Sequence, residues 1–205
     1  MISSLMLIIA LCMDSFLVSL AYGIKNIHIP MRSIWLITSI ETIVLGISFY
    51  GATKLYTVMN DEMCKYISAI IFLIIGISSI FQSTIKQYIR HHKGSIKIHF
   101  KEISIVFDII MDETKADLDH SKELSMKEAS YLAFALSFDS LISGFAYGIQ
   151  PTTIFLVLLL NLGIGFIAIY AGFCVGHYYK KIGNCNFTWL SGVLFLFIAI
   201  MRFLK

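Results

Sequence analysis

Six apolar stretches of bilayer-crossing length take up most of this chain: Ile2 to Ile24, Ser33 to Thr53, Tyr66 to Ile85, Tyr131 to Ile149, Thr152 to Gly176 and Thr188 to Leu204. About 20 consecutive apolar residues span the roughly 30 Å hydrocarbon core as a helix, whose backbone polar groups are all satisfied internally. The runs lack the period-2 alternation of a membrane strand, so they suit helices rather than a barrel. With 58% hydrophobic and 14% charged residues, two prolines and a formal net charge of +3, the composition is that of an integral membrane protein. Nothing in that charge balance points to nucleic acid as a partner. The first stretch has no basic leader and carries Asp14 where a signal peptide would be uniformly apolar, so it is expected to be retained.

Two of these stretches carry the same short motif, ALCMDSFLVSLAYGI from Ala10 and ALSFDSLISGFAYGI from Ala135. An internal repeat is the simplest explanation, and YISAIIFLIIGI from Tyr66 against WLSGVLFLFIAI from Trp189 extends it. Three spans per half reverse the sense of insertion of the second half. The expected fold is therefore all-α, with six transmembrane helices in a 3+3 inverted-topology repeat. Its parts are a first three-helix repeat at 1–85, a charged cytoplasmic loop at 86–127 and a second three-helix repeat at 128–205.

A carboxylate at the bilayer centre costs roughly 2.5 to 3.5 kcal/mol on insertion scales, so a span that carries one uses it or pairs it. Asp14 and Asp139 each stand mid-span, followed by Ser15 and Ser140; the second span adds Glu41 and the fifth Asn161. These six side chains are the expected cation-binding set, converging near the midplane. Hard oxygen ligands without cysteine or buried histidine favour Mn²⁺, Mg²⁺ or Ca²⁺ over Zn²⁺ or Cu⁺. Two close carboxylates would bind a divalent ion in exchange for protons. On the fifth span Asn161, Gly165, Ala168, Gly172 and Gly176 form a small-residue face suited to close helix packing.

Twelve of the 16 basic side chains fall on one side of this topology, eight of them in the loop, which puts the loop in the cytoplasm and both termini outside a plasma membrane. In the loop, DLDHSKELSMKE from Asp117 places Asp117, Asp119 and Ser121 at positions 1, 3 and 5 of an EF-hand calcium loop, the carbonyl of Glu123 at 7 and Glu128 at 12. Lys122 stands at position 6, where the turn calls for glycine, so any Ca²⁺ binding is expected to be weak. The other reading is a solvated acidic turn ending in a Ser125–Glu128 capping box. His91, His92, His99 and His120 have no metal-site spacing, and the four cysteines form neither a CxxC pair nor a disulfide framework. No nucleotide-binding loop and no nucleophile–base pair is present, which argues against a resident cofactor, an enzyme or an ATP-driven pump.

The paired Asp-Ser motifs, the repeat and the segment DETKADLDHSKELSMKEA ahead of the second motif together resemble the sporulation branch of the MntP-type manganese efflux family, over essentially the whole chain. That resemblance implies a multi-pass plasma-membrane protein of a spore-forming bacterium, exporting a divalent cation such as manganese. The same resemblance carries the family's membrane carboxylates over to Asp14, Asp139 and Glu41. A non-transport structural or signalling role in sporulation is the competing reading. Membrane lipid and a divalent cation are the expected partners, and a homo-oligomer is left open.

Overall fold

The computed structural model describes residues 2–57, 62–64, 66–77, 113–148 and 154–178, together with 105, 109 and 200. Four long helices dominate: α1 (Ile2–Lys25), α2 (Met31–Tyr56), α3 (Met126–Gly148) and α4 (Ile154–Tyr178). All four are long and apolar enough to cross a membrane, so this is a multi-pass membrane protein. Large apolar side chains such as Ile43, Ile47, Phe155, Leu159 and Ile167 are exposed on the outside of the bundle, the arrangement a lipid environment requires. Residues 62–64 and 66–77 are also helical, and a short 3-10 helix, Glu113–Ala116, precedes the turn into α3.

The helix ends follow from local chemistry. At the end of α1, Asn26 takes a left-handed φ of 56°; its N–H donates to Gly23 O at 3.1 Å and that of Ile27 to Tyr22 O at 3.0 Å. This is a Schellman cap with asparagine in place of the usual glycine, and Ile27 and Tyr22 close it by packing in the same buried cluster. Helix α2 begins directly after Pro30, whose extended ψ of 148° suits an N-cap and whose carbonyl accepts from Ser33 and Ile34. The capping box expected at α3 is present: Ser125 N–H donates to Glu128 Oε2 at 2.9 Å, and Glu128 N–H donates back to Ser125 Oγ at 3.4 Å.

The strongest packing is between α1 and α4 and between α2 and α3, with a smaller α2–α4 contact. Glycines set the first of these. A Cβ on Gly172 would run into the Phe16 carbonyl and the Ser19 hydroxyl, and one on Gly176 into the Leu20 carbonyl, so α4 lies against the backbone of α1. Along α2 and α3, Gly144 nests against Leu45 and Ser48, and Gly148 against Phe49 and Ala52. Ser48 Oγ donates across to the Leu141 carbonyl and Ser68 Oγ to that of Ala146, bonds that hold helices together in hydrocarbon.

This architecture corrects the expectation of six spans in a 3+3 inverted repeat. Among the described residues there are four spanning helices. The expected third span is helical at 66–77, with its remainder outside the described residues; the sixth, Thr188 to Leu204, lies outside them except for residue 200. Nor do the described helices pack as two three-helix units, because both dominant contacts join the first half of the chain to the second. The physical reason is that hydropathy measures the length of an apolar run, whereas partner choice is decided by which small-residue faces let backbones approach.

Candidate functional site

The membrane-embedded polar residues come mainly from α1 and α2. Ser15 and Glu41 are 4% and 6% exposed, and Ser15 Oγ donates to Glu41 Oε1 at 3.0 Å, a bond between the first Asp-Ser motif and the carboxylate of the next helix. Glu41 also interacts electrostatically with Asp139 of α3, and the buried Cys12 thiol with both Glu41 and Asp14. Asp14 and Asp139 are partly buried, each with contacts of its own, and Ser140 is buried beside Asp139. Asn161 is 4% exposed and donates from Nδ2 to Thr42 Oγ1 at 3.2 Å, one position along α2 from Glu41. Gly165, one turn further along α4, faces Thr38 and Cys12.

The structure therefore joins Ser15 directly to Glu41, brings Asp139 within electrostatic reach of that pair, and directs Asn161 to Thr42. A small cavity lined by Ser15, Ser19, Ile29, Ile37, Leu136 and Ile169 lies beside the cluster toward the α1–α2 turn. Sequence reasoning missed Thr42 and Cys12. The available signal for Thr42 was its place directly after a mid-span glutamate; for Cys12 it was its position two residues before Asp14. Chemically, a buried carboxylate bonded to a hydroxyl, with Asp139 within electrostatic range, is an oxygen-rich centre of the kind that suits a hard cation.

A second acidic group lies at the start of α3 and in the turn before it. One carboxylate oxygen from each of Asp117, Asp119 and Glu128 falls within 4.8 Å of the others, an arrangement able to hold a divalent cation. Glu128 is 4% exposed, and its Oε1 accepts the N–H groups of Leu118 at 2.7 Å and Asp119 at 3.4 Å, while Oε2 serves the capping box. Asp119 accepts the Ser121 N–H at 2.9 Å. Hydrogen bonds from the Ser121 side chain and backbone hold the Asp119 carboxyl below the ordinary carboxylate range. Lys122 has φ 63°, so the left-handed turn expected to need glycine is made by lysine. The capping box is present, and the carboxylates of Asp117, Asp119 and Glu128 gather beside it.

Comparison with known proteins agrees with this picture. The sequence signature of the family described as "Putative manganese efflux pump" matches residues 79–203. The chain is also 27% identical over 203 residues to the "Probable sporulation protein YtaF" of Bacillus subtilis (strain 168), covering 96% of this chain and 93% of the relative. No solved structure matches.

Proposed function

This chain belongs to the manganese efflux pump family, a family of transporters rather than enzymes, and from that membership we propose that it exports Mn²⁺ across the plasma membrane in exchange for protons. The observation that carries the reading is the Ser15–Glu41 pair, a buried carboxylate in a membrane helix held by a hydroxyl of the neighbouring Asp-Ser motif. Asp14, Asp139, Ser140 and Asn161 complete the proposed cation path. A divalent ion entering this centre is compensated by carboxylates that take up protons when it leaves, which makes the exchange electrically favourable in a low-dielectric interior.

The likeness to a protein named for sporulation supports placing this activity in a sporulating cell. The competing reading on that same likeness is a structural or signalling role without transport. The test is manganese tolerance and cell manganese content in a host lacking its own exporter. Export predicts protection by the parent chain and loss of protection in Asp14→Asn and Asp139→Asn at equal membrane abundance. A parent chain that leaves cell manganese unchanged favours the non-transport role.

A further inference from the structure

The acidic turn before α3 has a feature that capping alone does not explain. Asp117 is 6% exposed, and its Oδ1 accepts no hydrogen bond from any described residue. A buried, unsatisfied carboxylate oxygen is destabilising and is tolerated where something else compensates it. Asp117 belongs to the group in which one carboxylate oxygen from each of Asp117, Asp119 and Glu128 lies within 4.8 Å of the others. Ser121 Oγ and the Glu123 carbonyl lie next to each other, bonded at 3.0 Å.

The same turn is fastened to the membrane bundle. His28 N–H donates to the Lys122 carbonyl at 2.7 Å, and Leu124 N–H donates to the His28 carbonyl at 2.9 Å. Ser33 Oγ, in the first turn of α2, donates to the Leu124 carbonyl at 2.9 Å. Leu124 is fully buried in a cluster with Ile27, Ile29, Ile34 and Ala129. The ligand-bearing loop thus forms a short parallel bridge with the α1–α2 turn, through residues that alternate with its cation-facing positions.

We propose that Asp117, Asp119, Ser121, the Glu123 carbonyl and Glu128 bind one hard divalent cation of the Ca²⁺ type, at a site separate from the membrane cluster, and that binding fastens the loop to the turn between α1 and α2. Glu128 in bidentate mode and one oxygen from each of the others supply six ligands, within the six to eight that Ca²⁺ takes. Binding gives the Asp117 Oδ1 atom its missing partner and turns the Ser121 hydroxyl proton away from Glu123. The left-handed turn at Lys122 is already formed, so the remaining handicap of lysine is its positive charge. A +1 charge about 10 Å from a +2 ion at water-like permittivity weakens binding roughly fourfold.

The experiment is calorimetric titration of the full-length protein in detergent micelles with CaCl₂, and in a parallel arm with MnCl₂, paired with hydrogen exchange at the His28 and Leu124 amides. One Ca²⁺ per chain is expected, with exchange at both amides slowed on binding. The double variant Asp117→Asn/Asp119→Asn should lose at least tenfold in affinity and the slowing with it. Lys122→Asn, which keeps a residue tolerant of the left-handed turn, should bind about fourfold more tightly. Glu41→Gln should bind Ca²⁺ at the loop as the parent does, whatever its transport. Equal binding by the parent and the double variant, or absence of binding of either metal by both the parent and Lys122→Asn, overturns the proposal. Binding without any change at the two amides overturns its fastening role.

Discussion

Replacing Gly172 by alanine adds one methyl group at a point where α4 touches the backbone of α1. The added Cβ would meet the Phe16 carbonyl and the Ser19 hydroxyl, and the carbonyl cannot rotate away as a flexible side chain would. The helices must separate, and overpacking of this kind costs about 1 to 3 kcal/mol. Alanine's better helix propensity offsets about 0.8 to 1.0 kcal/mol of this, so at roughly 2 to 4 °C per kcal/mol for a chain of this size Gly172→Ala should lower the melting temperature by up to roughly 8 °C. Gly163 on the same helix has nothing within 4 Å of its would-be Cβ, and there the same substitution meets only the helix-propensity term. That term favours alanine by about 0.8 to 1.0 kcal/mol, which raises the melting temperature by roughly 2 to 4 °C. A thiol-reactive dye that fluoresces on conjugation reads both, because Cys12 and Cys64 are buried and become reactive on unfolding. Equal shifts of the same sign in the two variants would refute the assigned α1–α4 contact.

Asn26→Ala should destabilise the α1–α2 turn by about 1 kcal/mol, while Asn26→Gly should be neutral or better, since only the former resists the left-handed φ of 56°; the same dye assay separates them. In a cysteine-less background, Lys127→Cys should label only from the cytoplasmic side and Lys54→Cys only from outside, both positions being exposed; opposite labelling reverses the orientation. Native Cys64 does not serve this purpose because it is fully buried. The contact between Asp119 and Ser121 contributes above the unfolded aspartate value, about 3.9, and is lost only as pH falls through the depressed folded value. Carboxyl NMR should therefore find Asp119 titrating below the ordinary aspartate value of about 3.9, and a normal value for it would contradict the assigned hydrogen bonds.

Several parts of this arrangement were legible in the sequence because their signals are local. Ser125 and Glu128 stand at capping-box spacing and form the box. The small residues of α4 recur on one face, and Gly172 and Gly176 on that face meet α1. A mid-span glutamate announced a polar partner, although nothing in its spacing told that the partner would be Ser15, 26 residues earlier. What was not legible depends on long-range partner choice. The bridge between His28 and Glu123 joins two segments that carry no shared periodicity. The pairing of α1 with α4 and α2 with α3 follows from three-dimensional fit, to which counting apolar runs is blind, and that is also where the expectation of two three-helix units failed. Asn161 stood out by its mid-span position, but nothing in the sequence told that its amide would donate to Thr42, a residue that looks ordinary in an apolar helix.

The most direct test of the transport account is manganese flux into proteoliposomes holding the purified chain, with a proton gradient imposed across the membrane and internal Mn²⁺ read by a quenched dye. Coupled transport predicts flux that rises with the gradient, collapses when a protonophore dissipates it, and falls at least tenfold in Glu41→Gln, because that change removes the ionisable carboxyl bonded to Ser15 while preserving its shape. Flux in Glu41→Gln equal to that of the parent, or absence of flux in the parent under either gradient direction, would contradict the claim that the buried carboxylate centre carries the ion.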